Sequence, residues 1–440
     1  MQKITTGLKA RLIQLPPVYT AILCSVAAFS IYVCTYAFRK GFTAGTYEGE
    51  KLLGIDFKVW LVLAQVAGYA LSKFIGVKFI AEVKPNGRAR AILGLIGIAW
   101  LSLLGFALIP APYNIACFFI NGIPLGLIWG LIFSYIEGRK SAEFIGAVVC
   151  TSFIFSSGII KTIGRLMMTH FGVTELWVPF IVGLLFVIPL VFFVYLLAQV
   201  PPPSAEDVKH RTQRLPMTGK ERKAFVRFFF TGLVLNIIIY VFLTAMRDFR
   251  DYFEVEIWTD FGYRDNLNIY SQIDIPIAII VLILMSLILL VRNNFLALKL
   301  AHVSIILGFV LIGLGAWTFQ HGMIGPKAFM YAITLGLYLS YVPYSILFFE
   351  RLIATFKYKS NVGFMIYLAD SAGYLGSVGV LLFRQLGPAN LSWGNFFIHG
   401  SFIVSVVGII GISLSYVYFY KKKQSVYGWS PRKLIIRSEI

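Results

Sequence analysis

Twelve long apolar runs decide what this chain can fold into. They fall near residues 17–38, 59–80, 90–110, 115–136, 143–168, 177–199, 226–247, 270–291, 296–319, 328–349, 361–383 and 397–420. Each is nearly free of charge, bounded by Gly, Pro, Asn or ionic clusters, and close to the ~20 residues of helix that cross a bilayer. Inside hydrocarbon every backbone N–H and C=O must be satisfied within the segment, so each run reads as a helix. Composition agrees, with 58% apolar residues, 13% charged residues and a mean hydropathy of +0.79. A water-soluble core does not hide that much apolar surface. The fold class expected is an all-α membrane protein with twelve transmembrane helices in two pseudo-symmetric six-helix bundles.

The net charge of +19 would suggest nucleic acid in a soluble protein. Here most of the 39 Lys and Arg fall on one alternate set of loops and tails, which is the positive-inside signature. It puts both termini in the cytoplasm of a multi-pass protein of the plasma (inner) membrane. The opposite set is more acidic, most clearly in RDYFEVEIWTDFGYRDN, read as a loop after the seventh run. The partners expected are a small anionic substrate and the lipid bilayer, without nucleic acid, for a chain that acts as a monomer. The basic start MQKITTGLKARLIQLPP leads into a run long enough to span, which reads as an uncleaved anchor rather than a signal peptide. Cys24, Cys34, Cys117 and Cys150 lie in apolar segments without paired spacing, against a disulfide framework or a zinc site. The sequence has no Gly-rich Lys loop for ATP and no Ser-His-Asp or metal constellation. No enzyme, cofactor or metal is expected.

The longest inner loop, PPPSAEDVKHRTQRLPMTGKERK, is polar, basic and bounded by proline, and it falls at the midpoint. The organisation expected is an N-terminal bundle over 1–200, a basic linker over 201–224, a C-terminal bundle over 225–420 and a basic tail over 421–440. Short matches recur between the halves at nearly one offset. IYVCTYAFRK ends the first run and IYVFLTAMRD the seventh; Gly126 and Gly336, Glu137 and Glu350, and Gly158 and Gly373 are further candidate equivalents. This reads as a parallel repeat with a substrate site between the halves at mid-membrane.

Arg39 and Arg247 are then equivalents on runs one and seven. A guanidinium at the edge of hydrocarbon keeps its proton, so it needs an anion, a wet cavity or a route to the headgroups. Its planar fork of donors matches carboxylate or phosphate, and two of them could clamp one anion from both sides. Tyr36, three residues before Arg39, shares its helix face, and Tyr32 lies a further turn below; both add phenol donors or simply pack. Lys73 in run two reads as cavity-lining or snorkelling, and Lys161 in run five is the most interior lysine. Asp370 in run eleven reads as the most interior acid, either pairing with Lys161 or carrying a coupling proton. Asp274 reads as a helix-start acid and Asp248 as a partner for neighbouring cations. The tyrosines of run ten (Tyr331, Tyr338, Tyr341, Tyr344) read as packing, and Glu137, Arg139, Glu350 and Arg351 as gating salt bridges at the inner end.

Three local patterns resemble a known family. YAFRKGFTAG resembles a Tyr-x-x-Arg-Lys-x-Phe ending. GYALSKFIGVKFIAEVKPNGRARAI resembles a Tyr-Gly-x-Ser-Lys-Phe segment followed by a basic loop, and GYLGS resembles Gly-Tyr-Leu-Gly. Together they are similar to the organophosphate:phosphate antiporter branch of the major facilitator superfamily, the glycerol phosphate and hexose phosphate carriers. The resemblance implies that Arg39 and Arg247 bind phosphate with Lys73 as an accessory cation. The chain departs from the pattern at Glu82, where the loop acid is displaced, at Phe153, where the carriers place a His, and at Thr244, where a Tyr is expected. The function expected is secondary active transport of a small organic anion, most plausibly a phosphorylated metabolite exchanged for phosphate, by alternating access. The alternatives are a proton-coupled carboxylate symporter and a carrier-like membrane sensor that does not transport.

Overall fold

The computed structural model describes residues 12, 14, 16–203, 207, 219–358, 362–387 and 391–427. Within them lie twelve long helices: α1 Pro17–Lys40, α2 Phe57–Glu82, α3 Arg88–Leu108, α4 Ile115–Ile136, α5 Ala142–Phe171, α6 Val178–Gln199, α7 Gly219–Asp260, α8 Ile269–Leu289, α9 Asn294–Gln320, α10 Pro326–Phe356, α11 Val362–Leu386 and α12 Trp393–Tyr427. They match the twelve runs one for one. Ten of them, among the described residues, are long and apolar enough to cross a membrane. The chain is an integral multi-pass membrane protein. Much of the linker expected over 201–224 and of the tail over 421–440 lies outside the described residues, and Gly219–Lys223, assigned to the linker by sequence, is already helical.

The two bundles repeat one packing pattern. In the first half the principal contacts join α1 to α4, α5 and α6, α2 to α4, and α3 to α4 and α6. In the second they join α7 to α10, α11 and α12, α8 to α10, and α9 to α10 and α12, the same pattern displaced by six helices. The halves meet where α5 lies along α8 and α2 touches α11, which are again equivalent pairs.

Small residues and local hydrogen bonds let these helices approach. A Cβ on Gly158 of α5 would come within 2.6 Å of the Tyr270 carbonyl oxygen of α8, so only glycine permits this contact between halves. Pro343 cannot donate to the carbonyl of Leu339; that oxygen instead accepts from the Ser304 hydroxyl of α9 at 3.0 Å. Just after Pro343, α10 takes a π-helical turn at Tyr344–Phe348.

We call the end of the bundle where α1 starts the near end and the opposite end the far end. One segment there overturns the sequence reading. RDYFEVEIWTD is not an acidic loop: α7 continues through it to Asp260, with a kink at Phe253 (φ −116°, ψ 22°). Asp251, Glu254 and Glu256 on this extension are buried.

Candidate functional site

The site begins at the end of α1, whose last carbonyls have no partner within the helix. Gln65 of α2 donates to the Arg39 carbonyl at 2.8 Å and to Asn121 Oδ1 of α4 at 2.8 Å. Asn121 Nδ2 in turn donates to the carbonyls of Phe38 at 3.2 Å and Ala99 at 2.9 Å. This buried amide pair ties α1, α2, α3 and α4 together and fixes where the Arg39 side chain starts.

The Arg39 guanidinium lies 4.5 Å above the ring of Tyr69 on α2 and 5.8 Å from that of Tyr36. Its Nε is buried without a hydrogen-bond acceptor. Across the interface, the Arg247 guanidinium lies 4.0 Å above the ring of Tyr341 on α10. Tyr69 meets Tyr374 of α11 edge-on at 5.6 Å, and Tyr341 meets Phe153 of α5 at 6.0 Å. Each arginine therefore rests on a tyrosine whose ring touches the opposite half. Tyr36 lies within electrostatic reach of both arginines, and so does Tyr252 of α7.

The two arginines are not equivalent in charge. Arg247 donates from Nε (3.1 Å) and Nη2 (2.6 Å) to Oδ1 of Asp248, whose other oxygen accepts from Ser377 at 2.8 Å. Lys73 Nζ lies 4.8 Å from the Tyr69 ring, adding a second cation on the Arg39 side. Tyr32 packs edge-on against Trp129 at 5.2 Å and beside Tyr36 at 5.8 Å. On the second half Asp370 Oδ1 accepts from the Tyr240 hydroxyl at 2.6 Å, and that hydroxyl lies 3.1 Å from the Tyr341 hydroxyl.

Lys161 is not part of this centre and does not pair with Asp370. Its ammonium is buried between Asp251 (3.1 Å), Glu254 (2.9 Å) and the Ser157 hydroxyl (2.6 Å). Nor is Asp370 the most interior acid: Glu254 and Asp274 are wholly buried. Asp274 lies inside α8 rather than capping it, 2.5 Å from Arg250. Arg250 also pairs with Glu254 at 2.7 Å. Lys40 reaches Asp251 at 2.5 Å, with its Nζ 3.1 Å from the Tyr252 ring, and Lys58 at the start of α2 reaches Glu256 at 2.6 Å. Three lysines of the first half thus meet three acids of the second in one buried layer at the far end. Beside it, in the loop after α1, burial holds the Tyr47 phenol well above its usual range, and the carboxylate of Glu175 adds to the effect.

Sequence reasoning paired none of these charges, because the α7 extension looked like a loop. A signal was there. Arg250 and Glu254 are four apart and Asp251 and Glu254 three apart, the spacing of one helix face.

At the near end Arg351 on α10 bridges the halves to Glu143 on α5 at 2.9 Å and also donates to Asn294 at 2.8 Å. Arg139 donates to the carbonyls of Tyr135 (3.0 Å) and Pro201. Of the four residues expected to gate, Arg351 pairs across the halves, with Glu143 as a partner outside that set. Glu137 follows the last residue of α4, and Glu350 lies beside Arg351 on α10.

The fold has known counterparts. The chain is similar to the crystal structure of a D-xylose-proton symporter, with a TM-score of 0.60 and 13% identity over 92% of this chain and 97% of that one. It is similar to a bacterial homolog of the human lysosomal transporter Spinster, solved inward-facing and unoccupied, with a TM-score of 0.57 and 12% identity over 94% and 99% of the two chains. A third likeness is to the nucleoside transporter NupG, with a TM-score of 0.55 and 16% identity over 91% of this chain and 100% of that one. These likenesses establish the major facilitator fold. No curated protein matches the sequence. A family model covers residues 41–422, and the chain belongs to that family, the family of unknown function DUF5690.

Proposed function

We propose that this chain is a secondary active transporter that moves a small organic anion by alternating access between its two halves. The observation that carries this reading is Arg39: a half-buried guanidinium at the interface, with a buried Nε lacking any acceptor and a second arginine on the other half beyond a shell of tyrosines. A buried donor without a partner costs about 1–3 kcal/mol, which an anionic ligand would recover. The structures it resembles include a symporter of xylose, a neutral sugar. The Arg39 guanidinium favours an anion here. Because Asp248 offsets much of the charge of Arg247, Arg39 is the primary anion contact and Arg247 a second, weaker one. The motif resemblance makes a phosphate ester exchanged for phosphate the first cargo to test. With the near end cytoplasmic in a plasma membrane, the buried ion pairs seal the outer face.

The test is exchange of labelled phosphate in proteoliposomes carrying the purified chain, beside Arg39→Ala, with phosphate esters and carboxylates as competitors. Exchange that competitors inhibit and Arg39→Ala abolishes is the expected result. Absence of both exchange and net uptake of any competitor, from folded protein, would leave the non-transporting sensor as the better reading.

One observation favours a second reading. Asp370, an acid on α11, accepts a hydrogen bond from the Tyr240 hydroxyl, which ties it to the ring on which Arg247 rests. Proton-coupled symport of a carboxylate would use it, and would appear in the same liposomes as uptake driven by an inward proton gradient.

A further inference from the structure

The near end of α7 presents an outward face that changes character along its length. Lys223, Arg227, Phe230, Val234 and Ile238 are spaced by four, three, four and four residues, so they form one stripe on one side of the helix. All five are exposed, Phe230 to 58%, Val234 to 38% and Ile238 to 45%. The cationic end borders an open groove of about 600 Å³ lined by Arg222, Lys223, Val226, Arg227 and Phe230. Three cations at the mouth of an apolar track make an amphipathic site.

We propose that this face is a binding site for one anionic phospholipid of the near-end leaflet. The phosphate would sit against Arg222, Lys223 and Arg227, and an acyl chain would run along Phe230, Val234 and Ile238. Charge complementarity selects the headgroup, because cations near a membrane surface attract anionic lipid. Length selects a lipid over free phosphate: Arg227 to Ile238 spans roughly 16 Å of helix, about half of a ~30 Å hydrocarbon core, and so the depth of one leaflet. The stripe belongs to α7, whose other end carries Asp251, Glu254 and Glu256, so an occupied site would load the helix that closes the far end.

The test is native mass spectrometry of the full chain released from detergent micelles, with phosphatidylglycerol and phosphatidylcholine of identical acyl chains. The expected result is preferential retention of phosphatidylglycerol by the unaltered chain. The R222Q/K223Q/R227Q variant would lose that preference by about tenfold or more. A tail variant, K421Q/K422Q/K423Q, would keep it, and inorganic phosphate at millimolar concentration would not displace the lipid. Equal retention of the two lipids, loss confined to the tail variant, or displacement by phosphate alone would each overturn the proposal. All the altered residues of the α7 variant are exposed, and its unfolding temperature in detergent, matched to the unaltered chain, confirms the comparison.

Discussion

The carboxylate of Asp251 lies 2.5 Å from the ammonium of Lys40, across the interface between the halves, with both side chains buried. Asp251 also holds Lys161 at 3.1 Å, so one acid of α7 fastens α1 and α5 of the other bundle at once. Removing one member of a buried pair leaves an uncompensated charge and costs about 3–5 kcal/mol, whereas replacing a whole pair by apolar groups is often near neutral. That balance would suit a closure that opens and reseals, as the proposed alternating access requires: once water enters, hydration takes over from the pairing.

Asp251→Asn should therefore loosen the far end more than any single change in the central site. We expect a loss of about 3 kcal/mol or more in thermal unfolding. A cysteine placed at the buried far-end residue Thr43 should become reactive toward a membrane-impermeant maleimide. Adding Lys40→Met should restore part of the stability, since Lys161 keeps Glu254. Unchanged labelling at position 43 would mean that the layer does not act as a closure.

The same residues mark how far the sequence could be read. Each of the twelve helices follows from an apolar run, because the bilayer allows the backbone no other economical form. The repeat was legible in Arg39 and Arg247. The α7 extension was not: Asp251, Glu254 and Glu256 look like solvated loop acids until Lys40, Lys58 and Lys161 come to meet them, and that meeting is a property of the assembled halves. The central site was legible in residue type and only in part in pairing. Asp248 reads from the sequence as a partner for neighbouring cations, and it engages Arg247 on two nitrogens, but nothing local to Lys161 sent it to the far end instead of to Asp370.

Arg39 and Lys161 should part company when each is removed. Arg39 makes ring contacts and leaves its Nε without an acceptor, so Arg39→Ala should change unfolding little while weakening anion binding by about 10–100-fold, the worth of a charge-assisted hydrogen bond or two. Arg39→Lys should not rescue binding, because an ammonium has no planar fork. Lys161→Ala should instead unfold at lower temperature, by leaving Glu254 and Asp251 short of a cation. Similar unfolding temperatures for both variants would argue against separate roles.

Glycines give a test of the interface that involves no charge. Gly158→Ala places a methyl within 2.6 Å of a backbone oxygen on α8, and overpacking of this kind costs about 1–3 kcal/mol. Gly97→Ala meets nothing within 4 Å and should be neutral or slightly stabilising through helix propensity, worth up to about 1 kcal/mol. Thermal unfolding of the two variants in one detergent compares them directly. A Gly158→Ala protein as stable as Gly97→Ala would show that α5 and α8 move apart freely.

The near-end bridge of Arg351 to Glu143 is of another kind from the far-end layer. Glu143 is 48% exposed, so the pair is screened and contributes no more than about 1 kcal/mol. Arg351→Ala should hardly alter unfolding, yet it should raise access of a near-side maleimide to the centre if this pair is what joins the halves there. A large drop in unfolding temperature would instead give Arg351 a structural role through Asn294.

Asp370 separates exchange from symport. Its carboxylate sits 2.6 Å from the Tyr240 hydroxyl. If Asp370 takes up a proton during the cycle, Asp370→Asn abolishes accumulation driven by a proton gradient. It leaves counterflow of labelled against unlabelled anion nearly intact, because exchange returns the carrier to its starting protonation. Counterflow that fails together with gradient-driven uptake in Asp370→Asn would assign Asp370 to anion binding or folding, and gradient-insensitive uptake by the unaltered chain would leave exchange as the mode of transport.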